Sequence, residues 1–237
     1  MEDYATLLGF GPQGWGDQIA SGVAITVSLA LATLPIGLLA GFLVALAKRS
    51  PEPSLRLAGN IYTTIFRGLP ELLTLFLVFY GAQIGLQQVL HLFDPEASIE
   101  INSFVAGMVA LGAVFSSYAS EVFLSAFRAI PAGQYEGAYS IGLTNGQTMR
   151  LVILPQLVRI ALPGLSNLWL ILLKDTALVS VIGLADILRQ TGIAARVTRQ
   201  AFLFFGTACL IYLVLAILSS FAFTLIERRV GRGGQHS

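Results

Sequence analysis

The chain has 237 residues, 55% of them hydrophobic and only 11% charged, with a mean hydropathy of +0.77. Soluble domains carry about a quarter of their residues as charges, so this composition excludes an ordinary water-soluble fold and predicts an integral membrane protein. A formal net charge of +1 gives no basis for a nucleic-acid partner, and the single cysteine, Cys209, excludes an intramolecular disulfide.

Residues 1–18, MEDYATLLGFGPQGWGDQ, are acidic and glycine-rich and lack the basic start of a secretory signal. The apolar run behind them is too long for a signal core and is expected to stay as a span. A bilayer core about 30 Å thick asks for roughly 20 apolar residues in a helix. Between Asp17 and Lys48 lie 30 uncharged residues, between Glu71 and His91 a further 19, and between Glu100 and Glu121 another 20. These predict three spans. A long polar loop from Glu121 to Arg159 follows. The next apolar stretch is divided: 14 residues from Ile160 to Leu173, then Lys174-Asp175, then ten from Thr176 to Ala185. Neither half crosses alone, so the expectation is one span interrupted by charge, or a helix broken near Lys174. Ala201 to Ile226 supplies 26 residues for a fifth span, ending at Glu227-Arg228-Arg229.

Five spans put the termini on opposite sides, and Lys and Arg bias decides which is which. With the N-terminus outside, the inner segments hold Lys48, Arg49, Arg56, Arg67, Arg128, Arg150, Arg159, Arg228, Arg229 and Arg232, ten of the 14 basic residues. The outer side receives Arg189, Arg196 and Arg199 and most of the acids, Glu2, Asp3, Asp17, Asp94, Glu96, Glu100 and Asp186 among them. The fold expected is therefore an all-α membrane protein of about five transmembrane helices with its N-terminus outside. The organisation is an outer segment 1–18, one transmembrane domain 19–229 and a cytoplasmic tail 230–237.

The long loop then lies inside. Pro131 opens a helix, since its missing amide hydrogen would be unpaired there anyway. Tyr135 and Tyr139 share a face with Ala138 beside them, and Gly142 ends the helix in the left-handed conformation. Asn145-Gly146 reads as a turn, Gln147 to Leu154 as a restarted helix, and Pro155 as punctuation before the fourth span. Glu136, near the helix start, suits the dipole there. Gly137 and Ala138 allow another surface to approach the backbone closely. Such an element fits either a socket on a second protein or the lipid headgroups.

Lys174 and Asp175 lie 15 and 16 residues beyond Arg159, which at about 1.5 Å per residue is more than 20 Å along a helix. Two readings are open: partners on neighbouring spans, or Asp175 in contact with a cationic substrate. Asn167, Thr176 and Ser180 share this span and either line a polar path or bond to neighbouring helices. Arg67 and Glu71, four apart at the inner mouth of the second span, read as a structural pair or a gate.

The loop resembles the EAA loop of ABC-transporter permease subunits: Glu136-Gly137-Ala138, Gly142, Val152, Leu154 and Pro155 keep every spacing, with Gly137 in place of Ala and Val152 in place of Ile. Phe66-Arg67-Gly68-Leu69-Pro70-Glu71 and Leu173 to Ser180, LKDTALVS, are similar to the polar amino-acid branch, the histidine-, arginine- and octopine-type permeases. The likeness covers roughly residues 19–230. It implies a type I ABC importer transmembrane fold, with loop 131–155 as a coupling helix. Glu136, Gly137, Ala138, Tyr139, Gly142, Leu154 and Pro155 would then meet an ATPase. It implies a second permease subunit, identical or paralogous, two ATPase subunits, a periplasmic binding protein, and the bacterial inner membrane. In related permeases a second acid lies two turns before the Asp at 175; here Leu168 occupies that place, and a partner subunit would have to supply the acid.

No phosphate loop ending in Gly-Lys-Ser/Thr is present, because Lys48 follows Ala47 and Lys174 follows Leu173. His91 and His236 are far apart, so no metal site is expected. The chain is thus read as no enzyme and as carrying no cofactor itself, with ATP and magnesium on the partner ATPase. An ion-driven secondary transporter and a membrane scaffold for a cytoplasmic enzyme are the alternatives.

Overall fold

The computed structural model describes residues 4–94, 98 and 100–231. The expected tail, 230–237, lies outside them beyond Gly231, as do Arg232, Glu2, Asp3 and Glu96 of the charge comparison. Among the described residues all regular structure is helical, and five helical stretches are long and apolar enough to cross a bilayer.

A short helix α1, Tyr4–Leu8, precedes the first span, α2, Gly16–Arg49. A 16-residue helix α3, Pro53–Gly68, follows before the second span, α4, Glu71–His91. The third span, α5, is Ser103–Ala129, its first turn capped by the Asn102 side chain, which accepts from the amides of Phe104 and Val105. The inner loop carries α6, Ala132–Ser140, and α7, Asn145–Thr148. One π-turn, Met149–Ile153, joins α7 to α8, Leu154–Asp175. A 3-10 segment, Thr176–Ile182, completes the fourth span, and Gly183 ends it with φ 97°. Helix α9, Ile187–Thr198, lies between the spans, and α10, Ala201–Gly231, is the fifth.

Helix α5 is the hub. Its Ala119, Phe115, Phe123 and Phe127 sit in one apolar core with Leu29 and Ala45 of α2, and with Leu157, Leu168 and Leu172 of α8. Lipid gives helices no hydrophobic reason to associate, so close van der Waals fit has to hold them together. Gly41 of α2 provides it: a Cβ there would lie 2.8 Å from the Ala119 Cβ and 2.9 Å from the Ser116 carbonyl oxygen. Helix α10 packs more loosely, its outward face of Leu210, Leu213, Ile217 and Phe221 exposed as a lipid-facing stripe.

Three boundaries depart from the sequence reading. The third helix does not end at Glu121 but runs on to Ala129, its Phe123, Leu124, Ala126 and Phe127 buried in the core. Asn145-Gly146 is not a turn. Thr144 and Gln147 form a capping box, in which the Thr144 Oγ1 accepts from the Gln147 amide at 3.4 Å and the Gln147 Oε1 from the Thr144 amide at 2.9 Å. Pro155 does not break the chain, since it stands at the first turn of α8, where the preceding π-turn has already rearranged the hydrogen bonds. The amphipathic helices α3 and α9, too polar to read as spans, have no counterpart in the sequence reading.

Candidate functional site

Helix α6 stands off the membrane domain on an inner corner. Proline at 131 starts it, and Gly142 closes it by the two hydrogen bonds of a Schellman ending: Leu143 N donates to Ala138 O at 3.1 Å, and Gly142 N to Tyr139 O at 2.9 Å. Gly142 has φ 86°, a region that glycine enters at no steric cost. Ala138 is buried against the domain. Gln156 donates to Gln134 at 3.0 Å and Arg49 to the Tyr135 hydroxyl at 3.5 Å, so α6 is tied both to α8 and to the end of α2. The opposite face is bare: Glu136, Gly137, Tyr139 and Gly142 are exposed, and Ile141 is 77% exposed. An apolar tip of Tyr139 and Ile141 outside the spans is out of place on a water-facing loop. Leu154 is half-buried and Pro155 exposed, both in the first turn of α8. The two tyrosines therefore divide the work, Tyr135 holding and Tyr139 presenting.

The fourth span changes winding at its charges. Helix α8 stops at Asp175, and Thr176, fully buried, donates from its hydroxyl to the Leu173 carbonyl at 2.7 Å. Asp175 is half-buried beside a small enclosed cavity lined by Val114, Phe115, Tyr118, Leu168 and Leu172. Its volume, about 20 Å³, is room for a single water. Leu168 thus closes the wall where a second acid was missed. Glu71, an acid on another helix, starts α4, which packs against the 3-10 segment that follows Asp175. Ser180 is half-buried, its carbonyl receiving the Arg189 guanidinium at 3.1 Å. Asn167 and Lys174 are exposed. Seven residues apart, they share one face of α8.

Arg67 does not pair with Glu71. Helix α3 ends at Gly68, and Leu69-Pro70 are extended, so the spacing of four is not a helical one. Arg67 Nη1 meets Glu121 Oε1 instead, at 3.3 Å, and the same oxygen accepts from Lys48 Nζ at 2.5 Å. Lys48, only 9% exposed, also donates to the Thr63 hydroxyl at 3.2 Å. This three-helix cluster was missed because its two ion pairs join residues 73 and 54 apart (121 − 48, 121 − 67), and no local pattern joins them. The one signal was Glu121 itself, an acid close to an apolar run.

Asp186 is fully buried at the N-terminus of α9, where its Oδ1 accepts from the Arg189 amide at 2.9 Å. Burial pushes its carboxyl up to about 6, with those backbone hydrogen bonds opposing in part. Gly22 of α2 makes room for this junction, and the Thr26 hydroxyl of α2 accepts from the Ile187 amide at 3.3 Å. Beside it, Arg189, Arg196, Leu188 and Phe205 line an open outer pocket of about 540 Å³.

The chain is similar over almost its whole length to transport proteins. It is 44% identical to the nopaline transport system permease protein of Agrobacterium fabrum, over 96% of this chain and 97% of that one. It is 39% identical to the histidine/lysine/arginine/ornithine transport system permease protein of Salmonella typhimurium, over 93% and 96%. Among solved structures it matches an amino acid ABC transporter crystallised with histidines, with TM-score 0.80, 33% identity and coverage of 97% and 99%. An inward-facing methionine ABC transporter, 19% identical with TM-score 0.69 over 91% and 97%, shares the fold. These relatives are transport components rather than enzymes, and they leave an ion-driven carrier or a bare scaffold without support. Residues 33–232 match the family model of binding-protein-dependent transport system inner membrane components, and the chain, a multi-pass membrane protein with the type I importer fold, belongs to that family.

Proposed function

We propose that the chain is a permease subunit of an ATP-driven importer for polar amino acids, basic amino acids or opines in particular, in a bacterial inner membrane. The observation that carries this is the inner loop: a short helix anchored by Ala138 and Tyr135, presenting an apolar tip of Tyr139 and Ile141 away from the domain. Such a tip fits a groove on a separate ATPase, which holds the ATP and magnesium. Nucleotide binding there draws two such loops together and turns the path outward, and hydrolysis resets it.

Two features support a second permease subunit across the path. Lys174 and Asn167 are exposed on the isolated chain, and an uncompensated charge at mid-bilayer costs about 2.5–3.5 kcal/mol. That face therefore meets protein or water. Asp175 and Glu71 supply negative charge toward the same region, as a cationic substrate requires. On the outer side, the pocket of Arg189 and Arg196 suits an acidic patch on a substrate-delivering binding protein.

Co-expression with candidate partner chains, purification of the complex and ATP-dependent uptake into proteoliposomes test the reading. Uptake that needs an added ATPase chain and a binding protein is expected. Uptake driven by an ion gradient without ATP would overturn it.

A further inference from the structure

Below the Asp175 cavity lies a larger, more polar one that the coupling mechanism leaves unused. It is open, about 430 Å³, and lined chiefly by Lys48, Thr63, Thr64, Arg67, Tyr118 and Glu121. Its volume falls within the range of small-molecule sites, about 300–1,000 Å³. Tyr118 lines both cavities, so they adjoin along one face of α5. The two differ in sign. An acid, Asp175, stands on one side of Tyr118, and two cations with one acid stand on the other.

The inner cluster does not balance its charge. One oxygen of Glu121 serves both Lys48 and Arg67, and the two cations leave an excess of one positive charge. Lys48 is held firmly, nearly buried and bonded also to Thr63. Arg67 is 44% exposed, keeps one 3.3 Å contact to Glu121 and lies 5.5 Å from the Tyr118 ring. A guanidinium carries five donors in a planar fork suited to a carboxylate, and Arg67 lines the cavity with its side chain part-exposed. Nor is Arg67 needed to hold α3 in place. Tyr62 already anchors that helix, its hydroxyl 3.1 Å from the Ala113 carbonyl and 2.7 Å from Ser116 Oγ, and the Lys48 stem packs over Gly59.

We propose that this cavity is an inner binding station for the carboxylate of an amino-acid substrate, with Arg67 as the ligand and Lys48–Glu121 as its fixed support; the proposal rests on the transport reading above. A substrate carboxylate takes the free side of the Arg67 fork, and its ammonium group faces Glu121. A substrate leaving the acid at Asp175 therefore meets a site of opposite preference before release to the cytoplasm.

The test uses the complete importer in proteoliposomes, with binding protein outside and the lumen loaded with excess arginine, octopine or agmatine, the last being arginine without its carboxylate. Lumenal arginine and octopine are expected to slow ATP-driven uptake several-fold, and agmatine to leave it unchanged. In Arg67→Gln, half-inhibition should need about tenfold more lumenal arginine, the loss of one charge-assisted contact. Agmatine slowing uptake as well as arginine does, or Arg67→Gln inhibited like the wild type, would overturn the site. If Arg67→Gln does not assemble, the arginine–agmatine contrast on the wild type decides alone. An absence of any ATP-driven uptake by the wild type would overturn the transport reading and the site with it, a result distinct from uptake that lumenal carboxylates do not affect.

Discussion

Two single residues carry charge or strain that a substitution exposes. Asp186 is buried with its carboxyl pushed up from 3.8 to about 6. A raised carboxyl favours the folded state below its unfolded value, and that advantage is lost as pH rises through about 6. Above it the buried carboxylate costs stability. Asp186→Asn keeps the cap, because an amide oxygen also accepts from the Arg189 amide. Thermal unfolding in detergent should show the variant equal to or more stable than the wild type at neutral pH, with the dependence between pH about 4 and 6 removed. A large loss of stability at neutral pH would contradict the burial argument. Gly142 is the second. A β-branched residue at φ 86° is strained by about 1–3 kcal/mol, so Gly142→Val should distort the Schellman ending and uncouple ATP hydrolysis from uptake while membrane insertion persists. Gly142 was legible in the sequence because its conformation is a local property. The partner of Arg67 was not, because the extended Leu69-Pro70 breaks the register and the true partner lies on another span.

At the scale of elements, spans one, two, three and five were legible from uncharged run length alone, and the fourth from two half-runs flanking Lys174-Asp175. Hydrophobicity measures what lipid tolerates, and a span has to be apolar whether it faces lipid or, like α5, its neighbouring helices. Helices α3 and α9 were illegible because they are short and mix polar with apolar residues, and uncharged run length marks only helices that are apolar throughout. Packing between elements also lay beyond the sequence. Nothing local marks Gly41 as the point where α2 approaches Ser116 and Ala119, yet a methyl group there has no room. Gly41→Ala should therefore destabilise the α2–α5 pair by about 1–3 kcal/mol, read as a lower unfolding temperature. Gly137→Ala, with open space around it, should change stability little. The Lys48–Glu121 pair gives a second test. Glu121→Gln leaves a nearly buried ammonium uncompensated and should destabilise, whereas adding Lys48→Met should recover most of the loss.

For the whole molecule, three surfaces are exposed on the single chain: the loop tip, the Lys174 face and the outer arginine pocket. A cysteine at Tyr139 should crosslink to the ATPase of the assembled importer, and labelling from the outer face would contradict its inner position. Asp175→Asn should reduce uptake of cationic substrates more than of neutral ones; equal losses would return Asp175 to a purely structural part. One continuous feature runs from the inner loop to the Lys174 face. From Asn145 to Asp175 the backbone stays helical through the π-turn, 31 residues (145 through 175) without a loop, or about 45 Å at ~1.5 Å per residue. Such a strut is stiff along its axis. Displacement at its lower end reaches Asp175 almost undiminished, and compliance is left to the joints at either end, Gly142-Leu143 below and the 3-10 winding above. Amide hydrogens of 157–162 and 164–172 (Pro163 has none) should accordingly exchange slowly in every stage of the cycle, while those at the two joints change their protection as nucleotide binds and leaves.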